Sequence, residues 1–355
     1  MEYVYLGNSG LRVPKYILGT IPFSGTNGFE AAGNVKGKEA ERMVDMCLDA
    51  GINMFDTANL YSKGNAEEVL GSAIKGRRDK VLLTSKTGFH LGGNPNSLGA
   101  SRINIEASID QSLQRLGTDY LDLYFIHIWD GRTPVEETIE TMTNLVKSGK
   151  IRYWGVSNYS GWALARTFTV AEQSGYIPPI CQQIYYSPEA REAEYELLPA
   201  GSELGIGSMI WSPLGEGLLN GKISREKRAP ENTRQGDGWP EPWVLDKERL
   251  YNVIDALQEV ADKRNATIPQ IALAWVKDRP NVGPVVIAAR NEKQLRENID
   301  SFEIVLTKDE HDKIESVARP EPFYPLWHRA MNTIEIGSPS EIPYLEGYRK
   351  SMGIE

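Results

Sequence analysis

The sequence predicts an α/β fold, a (β/α)8 TIM barrel with an N-terminal β-hairpin plug and a C-terminal aromatic tail. Eight short apolar runs recur along the 355 residues, and each ends in a polar or small residue. The segments between them show helical periodicity. The runs are continuous rather than alternating, which is typical of parallel strands covered on both faces and joined by crossovers. Eight such units close naturally into a barrel.

The elements follow in chain order. Residues 3–6 and 11–14, joined by residues 7–10, predict a hairpin that plugs the barrel floor. Barrel strands are predicted at residues 17–20, 53–58, 81–86, 121–127, 153–158, 181–186, 208–213 and 285–289. Two patterns, Thr133 with Glu136 and Thr307 with Glu310, are typical of capping boxes and predict helix starts.

Two segments depart from the regular alternation. Residues 215–246, before the eighth strand, are rich in glycine, proline and charge, and they contain Trp239 and Trp243. A loop this long is usually functional or disordered, and its two aromatic anchors favour a folded lid. The barrel domain is predicted to cover residues 1–318. Residues 319–355 form a tail too aromatic for disorder, which we expect to pack on the barrel mouth or at a subunit interface, so oligomerisation stays open.

Charge and composition narrow the partners and the compartment. The net charge of −9 and a pI near 5.2 argue against nucleic acid and membrane as partners. Cys47 and Cys181 lack metal-binding spacing, so we expect no disulfide and no metal. The first residues lack the apolar core of a signal peptide, and no stretch approaches about 18 apolar residues. These features predict a cytoplasmic protein.

Four reactive side chains fall at the ends of three consecutive predicted strands. Asp56 lies at the end of the second barrel strand, and Tyr61 follows it. Lys86 ends the third strand, and His127 ends the fourth. Because a barrel of this kind carries its active site at the carboxyl ends of its strands, we expect the four side chains to share one rim.

Together these groups suit proton transfer to or from a carbonyl oxygen. A phenol has a pKa of about 10, and a nearby ammonium group would lower it. Asp56 would hold the ammonium of Lys86, and His127 would position a substrate oxygen. No side chain can supply a hydride, so interconversion of a carbonyl and an alcohol requires a nicotinamide. Each residue alone could have a structural role, as a cap, a packed ring, a solvated charge or a core histidine. The coincidence at three adjacent strand ends favours a shared site.

Longer motifs carry a family resemblance. They are Phe55-Asp56-Thr57-Ala58 with Tyr61, Thr84-Ser85-Lys86, Ile126-His127, Gly155-Val156-Ser157-Asn158, Gln183-Ile184-Tyr185-Tyr186 and Trp211-Ser212-Pro213-Leu214, followed by Arg290, Gln294 and Asn298. In this order and spacing the set resembles the signature of the aldo-keto reductase superfamily over about residues 1–318. The resemblance implies that Tyr61 is the general acid/base, that Lys86 tunes it with Asp56 paired to the amine, and that His127 orients the substrate carbonyl.

The resemblance also implies an extended NADPH across the barrel mouth. The residues expected to bind it are Thr20, Asp56, Ser157, Asn158, Gln183, Tyr186, Ser212, Leu214, Gly215, Gly217, Arg290, Gln294 and Asn298. Tyr186 would stack on the nicotinamide ring, and Arg290 would help to hold the adenosine end. Relatives with a strong NADP preference often carry a lysine where Ala288 and Ala289 stand here. NADP is still favoured over NAD because of Arg290.

The substrate is expected to be a small carbonyl compound or secondary alcohol. Phe23, Tyr61, His127 and Trp129 are the predicted contacts, and the further wall candidates are residues 88–101, Trp243, Tyr324 and Trp327. Aromatic walls favour an apolar, cyclic or sugar-like carbonyl. Two other functions stay open. One is an NADP-binding regulatory or redox-sensor subunit, which the superfamily contains. The other is a Schiff-base aldolase with Lys86 as nucleophile, although pairing with Asp56 argues against it.

Overall fold

The structure, a computed structural model, describes residues 1–332 and 334–354. Eight parallel strands form a closed barrel, which confirms the predicted fold class. They are β3 (Tyr16–Gly19), β4 (Met54–Asp56), β5 (Leu82–Thr87), β6 (Leu121–Ile126), β7 (Ile151–Ser157), β8 (Cys181–Tyr185), β9 (Gly207–Trp211) and β10 (Val285–Ile287). Each strand pairs with the next in chain order, and β10 closes the barrel between β9 and β3. A separate antiparallel hairpin, β1 (Tyr3–Tyr5) with β2 (Arg12–Pro14), precedes them.

The hairpin closes the amino end of the barrel, as the sequence predicted. Leu6 and Val13 are fully buried in one cluster with inward-facing strand residues that include Met54, Phe125 and Met209. The turn needs a glycine at its first position, since Gly7 has φ 58°. A Cβ there would also lie 2.5 to 2.7 Å from the backbone of residues 180, 205 and 207, at the starts of β8 and β9. The floor is therefore sealed, and the opposite end is left for a site.

Strand alternation determines which side chains reach that opposite end. Successive residues of a strand point to opposite faces, so every second side chain points into the barrel. Met54, Phe125 and Met209 point inward. Two residues further along the same strands come Asp56, His127 and Trp211. The alternation that fills the floor with apolar groups thus delivers polar and aromatic groups to the mouth.

Helices cover the outside of the barrel. Their bounds are α1 (Gly37–Asp49), α2 (Asn65–Ala73), α3 (Arg102–Leu116), α4 (Val135–Lys147), α5 (Gly161–Gln173), α6 (Leu197–Glu203), α7 (Lys247–Arg264), α8 (Ile268–Lys277), α9 (Glu292–Asp300), α10 (Lys308–Ala318), α11 (Leu326–Asn332) and α12 (Ile342–Ser351). Their apolar faces pack on the outward side chains of the strands in one extended core. Across residues 1–332 and 334–354, no helix has the length and apolar character needed to cross a membrane.

The structure confirms one predicted capping box and corrects the other. The Thr307 hydroxyl accepts from the Glu310 amide, and the Glu310 carboxylate accepts from the Thr307 amide at 2.7 Å, so the box opens α10. At α4, Pro134 occupies the N-cap position and no side chain caps the helix. Thr133 lies one residue too early to reach the third amide of the helix. Its hydroxyl donates to Asp130 at 2.6 Å instead.

The tail packs on the outside of the barrel. Tyr344, which is buried, donates its hydroxyl to the Pro280 carbonyl at 2.5 Å, and Asn281 donates to the Ser340 carbonyl at 2.7 Å. Residues 280 and 281 precede β10, so this contact lies toward the sealed end. No residue among 319–332 and 334–354 lines the cavity at the mouth. Of the two predicted locations, the structure does not support the mouth, and the subunit interface stays a prediction.

Candidate active site

A cavity of about 670 Å³ opens at the carboxyl ends of the barrel strands. The side chains that reach it from strand ends or just beyond them include Asp56, His127, Ser157, Gln183 and Trp211. Residues 215–246, which we call the lid, contribute further walls with Trp239 and Arg234. The lid is folded against the cavity as predicted.

Lys86 lies at the centre of a buried hydrogen-bonded group beneath the cavity. Its side chain is fully buried, and its Nζ lies 2.6 Å from Asp56 Oδ2. The same amine donates to the Thr57 carbonyl at 2.9 Å and to the Tyr61 hydroxyl at 3.3 Å. The three donor positions of an ammonium are thereby used. The predicted Asp56–Lys86–Tyr61 arrangement is present.

The second oxygen of Asp56 connects this group to β8 and, through Gln183, to β7. Oδ1 accepts from the Thr84 hydroxyl at 2.6 Å and from the Gln183 amide at 3.0 Å. Ser157 in turn donates to the Gln183 backbone carbonyl at 2.9 Å. We call Asp56, Tyr61, Thr84, Lys86 and Gln183 the floor network, because they lie at the bottom of the cavity. This network is at the carboxyl ends of the strands, opposite the end that the hairpin seals. Its satisfied hydrogen bonds fix the geometry of a buried charge pair that would otherwise be costly.

The turn that carries Tyr61 has an unusual backbone. Ser62 and Lys63 adopt left-handed conformations with φ 50° and 54°, and Gly64 follows with φ 93°. Such conformations are costly for residues other than glycine and persist where surroundings hold them. Here the Ser62 carbonyl accepts from Asn27 at 3.0 Å, and the Ser62 hydroxyl donates to the Phe23 carbonyl at 3.3 Å. These contacts direct the phenol of Tyr61 into the cavity.

Burial and charge set the protonation of the floor network. Burial raises the pKa of Tyr61 above its usual value, and the opposing effect of Lys86 is too small to reverse the shift. The sequence-based expectation of a lowered phenol pKa is thus wrong for this structure. Burial alone would lower the pKa of Lys86, but Asp56 and Tyr61 outweigh it and raise the pKa. The site therefore holds a neutral phenol beside a charged ammonium.

His127 is a neutral imidazole at the edge of the same cavity. Burial, with a smaller contribution from Lys86, lowers its pKa well below the usual 6.5. Its Nδ1 is buried and finds no hydrogen-bond partner within the described residues. The backbone carbonyl of His127 accepts from the Asn158 amide at 2.9 Å, so the fourth and fifth strand ends are joined.

Most of the predicted cofactor residues line the cavity. They are Asp56, Ser157, Asn158, Gln183, Ser212, Leu214, Gly217, Arg290, Gln294 and Asn298. Ala288 and Ala289 line it as well, at the place where relatives with a strong NADP preference often carry a lysine. Thr20 does not, because its hydroxyl turns away to donate to the Asp56 carbonyl at 3.0 Å. Gly215 is also absent from the cavity wall, although its neighbours Leu214 and Glu216 are present.

The structure does not place Tyr186 at the cavity. Its ring is fully buried and stacks on Trp275 with centroids 5.8 Å apart, and its hydroxyl donates to Glu194 at 2.6 Å. Gln183 points inward, so the residue three positions later points out toward the helices. Trp211 occupies the cavity wall instead, tilted against Tyr185 at 4.8 Å, with its indole N–H donating to Asn158 at 3.2 Å. The inward register of Met209 could have identified it.

The turn after β9 is built differently from the prediction. The amides of Gly215 and Gly217 donate to the carbonyls of Ser212 and Leu214 at 2.9 and 3.2 Å, so they are engaged within the turn. Glu216, which is buried, accepts from the Ser212 hydroxyl and pairs with Arg234 of the lid. These bonds fix the turn, which begins the lid, to a later part of the lid.

Sequence reasoning missed two cations of the cavity wall, Lys222 and Arg234. Both lie in the lid, after the seventh barrel strand, and nothing in their spacing in the sequence indicates a site. Arg290, which was predicted, lines the wall beside them and donates to the Asn232 carbonyl at 2.5 Å. Its backbone amide donates to Gln294 at 3.0 Å at the start of α9. Three guanidinium or ammonium groups thus face one cavity.

Tyr61 and His127 line the cavity as predicted, but most of the other predicted aromatic walls do not. Phe23 is fully buried in the core, and Trp129 packs edge-on against Tyr159 at 5.0 Å and Trp162 at 5.3 Å. The other three candidates lie exposed away from the cavity, namely Trp243, Tyr324 and Trp327. Loop residues take their place. These are Phe29, Trp239 and Phe89, of which Phe89 lies in the predicted wall segment 88–101.

Comparison with known proteins agrees with this architecture. A sequence model of the Aldo/keto reductase family matches residues 17–319, from the first barrel strand to the end of α10. The chain is also 34% identical over 332 residues to a protein of Oryza sativa subsp. japonica named "Probable voltage-gated potassium channel subunit beta", which covers 91% of this chain and 98% of that relative. The matched region contains the whole barrel and every residue of the floor network. The chain therefore belongs to the aldo/keto reductase family.

Proposed function

We propose that this protein is an NADP(H)-dependent oxidoreductase that interconverts a carbonyl compound and an alcohol, with Tyr61 as general acid/base. The observation that carries the proposal is the position of the Tyr61 hydroxyl, 3.3 Å from a fully buried ammonium and on the wall of a cavity of about 670 Å³. Membership of a family of NADPH-linked oxidoreductases supports the reaction class. The substrate and the roles of individual residues are our inference.

The chemistry of the cavity wall fits a dinucleotide phosphate. Arg290 and Lys222 offer the cationic groups that phosphates prefer, whereas Arg234 on the same wall is already paired with Glu216. Arg290 is followed by α9, and the amino end of a helix favours a nearby anion. Ser157, Asn158 and Gln183 offer short polar groups near the floor network, and Trp211 offers a flat aromatic face. We assign to Trp211 the ring-stacking role that the sequence assigned to Tyr186.

The residues then divide the work of carbonyl reduction. A bound nicotinamide supplies the hydride that no side chain can provide. Tyr61, which is held neutral by burial, donates its proton to the carbonyl oxygen. The ammonium of Lys86 stabilises the resulting phenolate, and Asp56 keeps that ammonium charged. His127, as a neutral imidazole, donates a hydrogen bond that orients the same oxygen. Alcohol oxidation is the reverse.

An aldolase function is disfavoured by the same geometry. A Schiff-base lysine must lose its proton to act as a nucleophile. Here the pKa of Lys86 is raised, and all three of its donor positions are bonded. Its side chain is also fully shielded from the cavity by its neighbours. Lys86 is thus placed to tune Tyr61 rather than to attack a carbonyl.

Turnover and isotope transfer test the proposal together. Purified protein is incubated with NADPH and 4-nitrobenzaldehyde, a cyclic ketone or a keto-sugar, and loss of NADPH absorbance is followed. With NADPH deuterated at the transferred position, we expect one deuterium on the carbinol carbon of the product, found by mass spectrometry. Loss of NADPH without deuterium in any alcohol would contradict direct hydride transfer.

A second candidate is an NADP-binding regulatory subunit without physiological turnover. It is favoured by one observation, the name of the rice relative, which designates a potassium channel subunit beta. The discriminating result is tight NADPH binding, measured by quenching of protein fluorescence, with no turnover across the carbonyl panel. Turnover at rates typical of enzymes, about 1 s⁻¹ or more, would favour the oxidoreductase instead.

A further inference from the structure

Five ring-bearing side chains from five separate segments form a continuous line along the cavity. The ring centroids of Trp239 and Phe29 lie 5.9 Å apart, and those of Phe29 and Tyr61 lie 6.1 Å apart. The line continues from Tyr61 to His127 at 6.0 Å and from His127 to Phe89 at 4.8 Å. Every contact is edge-to-face, and all five side chains line the cavity. We call this line the aromatic collar.

We propose that Phe29, Phe89 and Trp239 determine the specificity of the site and select a carbonyl compound that carries an uncharged ring. The inference rests on the proposed function and deepens it. Rings attract one another in edge-to-face or offset arrangements at centroid distances of about 4.5–7 Å. A ring bonded to the reacting carbonyl meets such partners on both sides of Tyr61 and His127, whereas a short aliphatic chain does not.

Hydrogen bonds hold the segments that carry Phe29 and Trp239 in place before a substrate arrives. The loop that carries Phe29 is bonded to the turn that carries Tyr61, because Asn27 donates to the Ser62 carbonyl at 3.0 Å and Asn65 donates to Thr26 at 3.0 Å. Trp239 is held within the lid by its amide, which donates to the Arg234 carbonyl at 2.9 Å. Rings positioned in advance contribute more to binding, since less conformational freedom is lost when the substrate binds.

Charge around the collar disfavours an anionic substrate. Two cations lie over collar rings, with Lys86 4.9 Å from the Tyr61 centroid and Arg234 5.6 Å from the Trp239 centroid. Both already face a carboxylate, Lys86 that of Asp56 and Arg234 that of Glu216. The carboxylate of Glu241 lines the same cavity. A substrate carboxylate here would find paired cations and a like charge.

Matched substrates and matched variants test the proposal. We measure kcat/KM with NADPH for methyl 4-formylbenzoate, its carboxylate analogue 4-formylbenzoate, and propanal. The variants are Phe29→Ala, Phe89→Ala and Trp239→Ala, with Trp243→Ala as the control, because Trp243 belongs to the same lid but is 86% exposed and outside the cavity. The NADPH dissociation constant and thermal unfolding of each variant confirm that cofactor binding and folding persist.

In the unmodified protein we expect the ester to exceed the carboxylate by about 10-fold or more, since an unpaired buried charge is costly. Each collar variant is expected to lower kcat/KM for the ester by about 10-fold, mainly through KM, and to change that for propanal by less than about twofold. Trp243→Ala is expected to change neither. Three outcomes would each overturn the collar proposal alone. They are equal losses of kcat/KM for ester and propanal, an effect of Trp243→Ala equal to that of Trp239→Ala, and a preference for the carboxylate. If none of the three compounds were reduced, the proposed function would be overturned, and the collar proposal with it.

Discussion

Two of the buried ionic networks among residues 1–332 and 334–354 differ in their surroundings: one borders the cavity and the other does not. The floor network surrounds Asp56 and Lys86 at the carboxyl ends of the strands. A second group lies away from the cavity, between the outer wall of the barrel and the tail, and we call it the wall network. It consists of Arg191, Glu194, Arg279, Glu315 and Arg319. Both bury charge almost completely, so burial alone does not distinguish them.

The charged groups of the wall network pair with one another. Arg191 and Glu194 are fully buried and lie 2.7 Å apart, and Arg191 also contacts Glu315 at 3.0 Å. Aromatic rings seal it, with Arg279 4.5 Å from the Trp275 centroid and Arg319 4.8 Å from that of Tyr348 in the tail. None of these side chains lines the cavity. The network joins the tail to the barrel.

The difference teaches which feature carries functional information. Burial alone would raise the pKa of Glu194, yet Arg191 and Arg279 hold it below its usual value. A perturbed carboxyl group with specific charge partners is therefore found in the wall network too, where it is buried and does not line the cavity. Perturbed titration marks active sites only probabilistically. The floor network differs in that one neutral, polarised hydroxyl, that of Tyr61, opens to a space that a substrate can enter.

Removing the Tyr61 hydroxyl from the floor network, and a hydroxyl that bonds the wall network, gives the largest expected contrast in kcat. Tyr61→Phe should lower kcat for carbonyl reduction by about 10²- to 10⁴-fold, because it deletes the proton donor. NADPH affinity should barely change. Tyr186→Phe deletes a hydroxyl that bonds Glu194 in the wall network and should leave turnover within about twofold, since Tyr186 lies outside the cavity. Comparable losses in the two variants would contradict the functional distinction between the networks.

Breaking the wall network should affect stability rather than chemistry. Glu194→Gln leaves the buried guanidinium of Arg191 without its main counter-charge, and removing one partner of a buried ion pair costs about 3–5 kcal/mol. Urea unfolding measures this loss, and kcat/KM of the folded fraction should be retained. Glu196→Gln, at an exposed neighbouring position, serves as the control. Full stability of Glu194→Gln would mean that the wall network does not secure the tail.

The sequence predicted the barrel and the floor network because the ends of the strands can be recognised in it. Asp56, Lys86 and His127 each close a recognisable apolar run, and parallel topology brings such ends together. Alternation along each strand carries further information about which side chains reach the cavity. It places Gln183 inward and Tyr186 outward, and it places Trp211 in register with Met209.

The cavity walls could not be predicted in the same way. Phe29 and Trp239 sit in loops whose paths depend on hydrogen bonds between segments distant in sequence, such as that from Asn27 to Ser62. Trp129 directly follows the strand-end region, yet it packs outward against Trp162. The direction of the Tyr61 pKa shift was likewise missed, because burial depends on the three-dimensional surroundings and not on the neighbouring charge alone.

A third prediction concerns the cationic wall of the cavity. Arg290→Ala should weaken NADPH binding by about 10- to 100-fold, the loss expected for charge-assisted hydrogen bonds to a phosphate. NADH binding should weaken much less, because NADH lacks the 2′-phosphate. Arg296→Ala, on the exposed side of α9, is the control and should change neither. Titration by fluorescence quenching measures both constants, and equal weakening for the two cofactors would remove the phosphate role of Arg290.

The smallest expected effect is that of pH on carbonyl reduction. The pKa of Tyr61 is raised, so its proton is present throughout the neutral range and is lost only above the usual phenol value. The pKa of His127 is well below 6.5, so the imidazole stays neutral. The proton donor and the orienting group therefore keep one state, and kcat/KM at saturating NADPH should vary by less than about twofold between about pH 6 and 9. NADPH affinity measured at each pH separates cofactor effects from those of the floor network. An inflection near pH 6.5 that persists at saturating NADPH would show that His127 titrates there, and its burial would then not set its charge.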